Sequence, residues 1–209
     1  IHGDFNALLK ALYVGKVINT EGKWIGNNTH LVQVGDLIDK GGRGTEVIHL
    51  SETDDSEWKS IVYLENLRQH ARKNGGDVHL LLGNHELMNV TSNLKYTTAE
   101  NNNYFGGEDK RIRLFLRGGF MAKKLASLFN CVVKINDWIF SHAGILPEKL
   151  IPYGSDITRL NEDFRDYLKD PIYQNDTLKD IIENEDSFLW TRFYGKNNSE
   201  EVCSKVRQS

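Results

Sequence analysis

The sequence has little cysteine, no long apolar run and little net charge, and each shortage excludes a class of protein. The only cysteines, Cys131 and Cys203, cannot build a disulfide framework, and such sparse use favours a reducing intracellular compartment. No apolar run approaches the roughly 20 residues that a membrane-spanning helix requires. The net charge of -3 gives no reason to expect nucleic acid or an anionic membrane as a partner.

The sequence also lacks an initiating methionine and opens on Ile1, in the middle of what resembles a motif at the end of a strand. A targeting peptide would lie upstream of this segment, so the sequence carries no information about localisation beyond its cysteine usage. We find no internal repeat and no low-complexity linker, and we therefore expect one domain over residues 1–209.

Apolar runs alternate with amphipathic segments through the first half of the chain, and this order predicts a parallel α/β sheet. Residues 31–34 and 78–82 are the predicted strands. Between them, residues 58–73 carry a broad apolar stripe at helical spacing and end at Asn74-Gly75-Gly76, as a helix should.

The second half is richer in helix than in strand. We expect a hairpin from 131–135 and 138–140, joined at Asn136-Asp137. The other predicted helices are 4–12, 110–128 with a break at Gly118-Gly119, 156–168, 178–184 and 200–207, whereas 88–105 is predicted to be irregular with one short helical piece. The basic cluster Lys110-Arg111-Ile112-Arg113 is interpreted as a solvated helix face.

Polar side chains follow the predicted strands at the points where the strands end. Gly83-Asn84-His85-Glu86 follows the strand at 78–82, Gly35-Asp36 follows the strand at 31–34, and the chain opens on Ile1-His2-Gly3-Asp4. Open α/β sheets build their sites at the carboxyl ends of strands, so these turns predict one shared site.

Carboxylate, amide and imidazole groups together indicate a metal centre in these turns. The candidate donors are His2, Asp36, Asp39, Asn84, His85 and His142, and there is no thiolate among them. Such donors suit Mn²⁺, Fe²⁺ or Zn²⁺. Each residue alone has an ordinary explanation as a turn former or a packed histidine, but three strand-end turns in sequence favour metal binding.

The motifs also resemble those of a known family. In order, His2-Gly3, residues 35–39 and residues 83–86 are similar to the three signature motifs of the calcineurin-like metallophosphatases, within the phosphoprotein phosphatase superfamily. More narrowly, residues 81–89, 105–107, 141–144 and 189–192 resemble the Shewanella-like protein phosphatase branch. The resemblance implies an α/β fold, an α/β/β/α sandwich of mixed sheets with helices outside.

For the metal site, the resemblance implies two divalent ions, Mn²⁺ in the first place, with Fe²⁺ or Zn²⁺ as alternatives. His2 would bind the first ion, Asp36 would bridge both, and Asn84 and His142 would bind the second. Two ions about 3.5–4 Å apart can share a water and lower its pKa, which provides a hydroxide as nucleophile. Further ligands would lie beyond each terminus, so we expect residues 1–209 to be a single metallophosphatase catalytic domain truncated at both ends.

For the reaction itself, the resemblance implies that His85 is the general acid and that Asp39 holds it in an Asp–His pair. Arg192, in the family's Trp-x-Arg segment, would hold phosphate oxygens with its guanidinium fork. The sequence departs from the family at Lys40, where an arginine is usual, because Lys is a point charge that grips phosphate less well. Arg43 is close enough in sequence to compensate.

The function that the resemblance implies is hydrolysis of phosphomonoesters on phosphorylated proteins or peptides, on Ser/Thr or on Tyr. Two alternatives stay open from the sequence. A diadenosine-polyphosphate hydrolase shares the first three motifs, and a pseudophosphatase would bind phosphoproteins without cleaving them. Lys40 alone favours the pseudophosphatase, and the intact pair of His85 and Asp39 argues against it.

Overall fold

Two small sheets with helices packed on them form the described part of the chain, residues 1–41, 53–196 and 198–207 of this computed structural model. The strands are β1 His30–Gln33, β2 Asp77–Leu81, β3 Phe129–Asn130, β4 Val132–Ile135 and β5 Trp138–Ser141. The helices are α1 Phe5–Val14, α2 Ser56–Lys73, α3 Asn84–Val90, α4 Ala99–Tyr104, α5 Glu108–Phe115, α6 Phe120–Leu128, α7 Pro147–Leu150, α8 Ile157–Lys169, α9 Asp176–Ile182, α10 Phe193–Lys196 and α11 Ser199–Arg207, with a 3₁₀ turn at Ile151–Tyr153.

The first sheet is parallel, with the strand order β1-β2-β3, as the alternating pattern predicts. Leu31 pairs with Val78, and Leu80 pairs with Phe129. Because neighbouring parallel strands run in the same direction, the turns after β1 and β2 emerge at one edge of the sheet. This edge carries the predicted site.

Helix α2 packs on β2 through the stripe that the sequence predicts. Its buried face includes Ile61, Leu64, Leu67 and Ala71, which recur at intervals of three and four residues. The helix starts at Ser56, two residues before the predicted start, and ends at Lys73 as predicted, with Asn74 as its C-cap. It thereby fixes the central strand that leads into the site.

The predicted hairpin is confirmed, since β4 and β5 pair antiparallel and Asn136 takes a positive φ of 53° in the connecting turn. The strand predicted from residue 131 begins one residue later, at Val132, and a short strand that the sequence did not predict lies just before it in the first sheet. Phe129–Asn130 pairs with β2, and the second sheet begins at Val132. Asn161 of α8 supports this junction, because its Oδ1 accepts the N–H groups of Cys131 at 2.8 Å and Val132 at 3.3 Å.

The segment after β2 is more helical than the sequence predicts. Helix α3 continues through Met88 to Val90, and every residue in it is buried. The prediction of irregular backbone from residue 88 is therefore wrong at its start, because burial holds this short polar helix where its sequence alone would not. The predicted short helical piece is α4, and the break at Gly118-Gly119 separates α5 from α6 as predicted.

No helix within the described residues has both the length and the apolar character that crossing a membrane requires. Cys131 is buried, and burial raises the pKa of this thiol to about 12.

Candidate metal centre and active site

The turn after β1 brings Asp36 and Asp39 to the edge of the parallel sheet. Asp36 has a φ of 55° and Asp39 a φ of 67°, a left-handed conformation that aspartate tolerates better than most residues. The opening residues of the chain dock on this turn. The N–H of His2 donates to the carbonyl of Asp36 at 2.9 Å, and the N–H of Gly3 donates to the carbonyl of Leu37 at 2.8 Å.

A buried carboxylate from α3 holds the first half of this turn. Glu86 Oε2 accepts the N–H groups of Gly83 at 2.8 Å and Asp36 at 3.0 Å. Its Oε1 accepts those of Leu37 at 2.7 Å and Ile38 at 3.2 Å. Burial raises the pKa of Glu86 to about 7 and the charge of Asp36 adds to this, whereas the backbone donors act in the opposite direction.

Two glycines allow the turns after β1 and β2 to approach each other closely. A Cβ on Gly83 would lie 2.3 Å from Asp36 Oδ1 and 2.4 Å from the Asp36 nitrogen. A Cβ on Gly35, whose φ is +94°, would lie 2.6 Å from the nitrogen of Gly83 and 2.7 Å from His142 Nδ1. Any side chain at these positions would displace a predicted metal ligand.

The Asp36 carboxylate lies between two imidazoles. Its Oδ2 is 3.6 Å from His2 Nε2, and its Oδ1 is 3.5 Å from His142 Nε2. Oδ1 also accepts the backbone N–H of His85 at 3.1 Å, which fixes the plane of the carboxylate. One carboxylate with a different imidazole at each oxygen has the arrangement of a bridging ligand.

The atoms around His142 Nε2 determine whether a cation fits between His142, Asn84 and Asp36. His142 Nδ1 lies 2.7 Å from the carbonyl of Val34, which can only accept, so Nδ1 carries the proton. In the neutral ring, Nε2 then presents a lone pair to Asn84 Oδ1 at 2.9 Å and to Asp36. Three acceptors that converge in this way fit a divalent cation, and the bond to Val34 orients the ring as the outer hydrogen bond of a metal ligand does.

On the other side of Asp36, ligand atoms of His2, Asp36 and His85 all lie within 4.8 Å of one another. The donor set of imidazole, carboxylate and amide oxygen suits Mn²⁺, Fe²⁺ or Zn²⁺ alike. The structure thus brings together all of the predicted ligands, His2, Asp36, Asn84 and His142.

His85 and Asp39 form the predicted pair. His85 Nδ1 lies 3.0 Å from Asp39 Oδ2, and both side chains are buried. Because a carboxylate accepts, Nδ1 donates, and Nε2 faces the cluster at 3.9 Å from Asp36 Oδ2. His2 packs against the His85 ring edge to face, with the ring centroids 4.8 Å apart. His85 is therefore held by both neighbours with Nε2 directed at the cluster.

A buried polar network beneath Asp39 was missed by sequence reasoning. Asn89 Nδ2 donates to both Asp39 oxygens, at 2.9 and 3.0 Å, and Arg111 Nη2 donates to Oδ1 at 3.2 Å. Glu57 Oε1 accepts the backbone N–H of Asp39 at 2.8 Å. The interpretation of the basic cluster around Arg111 as a solvated helix face is wrong for this residue, which is 0% exposed. A signal existed for Asn89, one helical turn after His85, but none existed for Arg111.

The two predicted phosphate ligands within the described residues, Lys40 and Arg192, are bonded to other groups of the protein. Lys40 Nζ lies 3.4 Å from Asp54 Oδ2, so its ammonium group is paired with a carboxylate. Arg192 is exposed and donates to the carbonyls of Trp190 at 3.0 Å and Thr191 at 3.3 Å. Arg43 lies outside the described residues.

The segment that carries Arg192 docks beside the turn that carries His142. The N–H of Ala143 donates to the carbonyl of Phe188 at 2.8 Å. A Cβ on Gly144 would lie 3.1 Å from Thr191 Cγ2 and 2.5 Å from the Tyr194 ring. Arg192 therefore belongs to a segment packed against residues that directly follow a predicted metal ligand.

The family model described as calcineurin-like phosphoesterase matches residues 1–205. The chain belongs to this family. The resemblance drawn from the motifs is thereby confirmed, as are the fold class and the family's use of divalent metals in general.

Curated relatives lie in the branch that the narrower motifs indicate. The chain is 26% identical to Shewanella-like protein phosphatase 2 of Arabidopsis thaliana, over 80% of this chain and 50% of that protein. It is 29% identical to Shewanella-like protein phosphatase 1 of Plasmodium berghei, over 100% of this chain and 55% of that protein. The chain thus spans about half the length of these relatives.

Solved structures share the fold. A cold-active protein tyrosine phosphatase superposes with a TM-score of 0.74 at 24% identity, over 99% of this chain and 58% of that one, and this likeness shows the fold alone. A cold-active protein-tyrosine phosphatase of a psychrophile Shewanella species matches with a TM-score of 0.67 at 25% identity, over 99% of this chain and 59% of that one.

Proposed function

We propose that the protein is a phosphatase that uses two divalent metal ions to hydrolyse phosphomonoesters of phosphorylated proteins. One observation carries this proposal. The Asp36 carboxylate lies between the imidazoles of His2 and His142, and the buried pair of His85 and Asp39 lies alongside. Metal ligands next to a positioned acid are the requirements of phosphate ester hydrolysis.

In this proposal His2 and Asp36 would hold one ion, and Asp36, Asn84 and His142 would hold the other. When bound, such ions supply positive charge to the phosphate oxygens and lower the pKa of water. The protein's part is to keep these donors in place. The backbone amides on Glu86 and the carbonyl of Val34 on His142 do this.

His85 has the role of general acid towards the leaving oxygen. Its Nδ1 proton is held by Asp39, so the Nε2 proton is the one available to the substrate. Imidazole changes charge near neutral pH and is therefore suited to this transfer, which contributes about 10²–10⁴-fold to rates where it operates.

The proposed phosphate ligands are Arg192, Lys40 and Arg43. Arg192 supplies a fork that matches two phosphate oxygens. Lys40 must exchange its partner Asp54 for phosphate, which weakens its contribution. Replacement of Lys40 by arginine tests this weakness, and unchanged KM and kcat would dismiss it.

Phosphorylated proteins are the proposed substrate class because the matched relatives are named protein phosphatases. The metal-loaded protein should therefore hydrolyse a phosphotyrosine or a phosphoserine peptide faster than diadenosine tetraphosphate. Steady-state rates with Mn²⁺ on these three substrates provide the measurement. Faster cleavage of the dinucleotide would instead favour the polyphosphate hydrolase.

The variant His85→Asn tests catalysis directly, with His70→Asn, an exposed position on α2, as the matched control. We expect His85→Asn to lower kcat about 10²–10⁴-fold and the control to leave it unchanged. Phosphopeptide binding without hydrolysis in the presence of any divalent metal would contradict the proposal and support a pseudophosphatase.

A further inference from the structure

We propose that Arg111 is a positioning residue for the pair of Asp39 and His85. The Phe105-Gly106-Gly107 motif places the Arg111 guanidinium for this role. This inference rests on the proposed role of His85 as general acid. It extends the site to α5, a helix to which the motif resemblance assigns no role.

The guanidinium of Arg111 donates hydrogen bonds to three different side chains. Nε donates to Asn89 Oδ1 at 2.8 Å, Nη1 to Glu57 Oε2 at 2.7 Å and Nη2 to Asp39 Oδ1 at 3.2 Å. The side chain is 0% exposed, so solvent does not weaken these contacts. A planar guanidinium spreads its donors in fixed directions, whereas the three donors of a lysine ammonium radiate from one compact nitrogen.

Two aromatic rings hold the guanidinium. Its Cζ lies 5.2 Å from the Phe105 centroid and 5.0 Å from the Phe115 centroid. The rings themselves pack edge to face with centroids 5.6 Å apart. Phe115 is on α5 itself, whereas Phe105 precedes it, so the chain must reverse sharply between the ring and the helix.

Gly106 and Gly107 make this reversal. Their φ values are +89° and +101°, a region that side chains rarely adopt. Gly107 then caps the start of α5, and Arg111 follows one turn later with its N–H donating to the Gly107 carbonyl at 3.0 Å. The motif therefore has a physical reason, which is to place an aromatic face and a buried guanidinium together.

As a consequence, the two carboxylate oxygens of Asp39 accept hydrogen bonds from different partners. Oδ1 accepts from Arg111, and Oδ2 accepts from His85 Nδ1 at 3.0 Å. Asn89 touches both oxygens and is itself fixed by Arg111 Nε. Arg111 thus sets the rotation of the carboxylate, and through it the direction of the imidazole.

Electrostatics favours the same role. Asp39 and Glu57 are both buried carboxylates, and Arg111 is the cation that contacts both. Glu57 also accepts the Asp39 backbone N–H at 2.8 Å. Removal of the guanidinium would leave two buried carboxylates without their partner, which is strongly unfavourable.

The experiment compares two substrates in the metal-loaded protein. Phenyl phosphate has a basic leaving group, with a pKa of about 10 like that of tyrosine, and needs a proton from His85. 2,4-Dinitrophenyl phosphate has a leaving group that departs without one. A misplaced acid therefore slows the first substrate selectively, whereas a general structural defect slows both.

The variant is Arg111→Lys, which keeps the charge and loses the fork, and Arg113→Lys on the exposed face of the same helix is its control. We expect kcat for phenyl phosphate to fall about 10-fold or more, within the range of acid catalysis, with KM unchanged. The loss for 2,4-dinitrophenyl phosphate should stay within about threefold. Equal losses on both substrates, or none, would overturn the proposal.

If Arg111→Lys does not fold, Phe105→Leu decides by the same criterion, because it removes one aromatic face and leaves every ion pair. An independent readout is the NMR resonance of the His85 Nδ1 proton, which should shift in the variant and not in Arg113→Lys. An unmoved resonance would overturn the proposal. If the unmodified protein hydrolyses neither substrate, the proposed function fails, and the NMR comparison still tests the positioning.

Discussion

The two ends of the turn from Asp36 to Asp39 are held by different means. At the Asp36 end, one buried carboxylate, Glu86, collects the backbone N–H groups of four residues on its two oxygens. At the Asp39 end, Glu57 accepts a single backbone N–H, and the side chains of Asn89 and Arg111 bind the carboxylate itself. Two aspartates three residues apart therefore have different environments.

This difference explains why the two aspartates have separate proposed roles. Support through the backbone leaves the Asp36 oxygens facing the imidazoles of His2 and His142, where a metal ion fits. Support through side chains occupies both Asp39 oxygens, so Asp39 can orient His85 but has no oxygen to offer a metal. The same residue type is a ligand or an orienter according to what surrounds it.

The largest effect is expected at Glu86. In Glu86→Gln an amide group replaces one acceptor oxygen and faces backbone donors, so the free energy of unfolding should fall by about 3 kcal/mol or more. Urea denaturation at pH 8, above the raised pKa of Glu86, measures it. The exposed Glu185→Gln serves as the control and should change stability by less than about 0.5 kcal/mol. A small loss at Glu86 would break the comparison, because the turn would not depend on this acceptor.

The paired variants Asp36→Asn and Asp39→Asn sharpen the comparison. Asp36→Asn removes the charge of a proposed direct ligand, and Mn²⁺ affinity should fall by about 100-fold or more by calorimetry, at least the loss that removal of an outer-shell partner can cause. Asp39→Asn should leave Mn²⁺ affinity within about threefold, because Asp39 holds His85 and no ion. Equal losses of affinity in both variants would contradict the division of roles.

The smallest of the three effects is expected for Gly83→Ala, which tests the close approach of the turns after β1 and β2. Gly83→Ala places a Cβ against Asp36 and should cost about 1–3 kcal/mol of stability. Gly195→Ala, where nothing lies within 4 Å, should be neutral or slightly stabilising in thermal unfolding. Equal behaviour of the two variants would show that the turns have room to separate.

The Asp36 end of the site could be predicted from the sequence, and the support of the Asp39 end could not. Asp36, Asn84 and His85 follow apolar strands directly, and parallel strands place such turns at one edge, so local order predicts their meeting. Arg111 lies on a helix whose sequence is charged on all sides, and its burial depends on Glu57 and Asp39, both distant in sequence. Tertiary pairing of this kind leaves no local pattern.

The fold shows the same division. Helix α2 follows from its apolar stripe at helical spacing, and the strands before the site follow from short apolar runs. The transfer of the chain between sheets at Cys131 does not, since it depends on Asn161 of a later helix. The assignment of residues 1–209 to a single domain stays a prediction.

Anomalous diffraction from crystals of the Mn²⁺-loaded protein tests the central claim most directly. We predict two peaks about 3.5–4 Å apart, one on each side of the Asp36 carboxylate, the first next to His2 and the second next to Asn84 and His142. His85 Nδ1 should stay on Asp39, with Nε2 bound to neither ion. Peaks at another place in the molecule, or a single ion held by His85 instead of Asn84 and His142, would contradict the account.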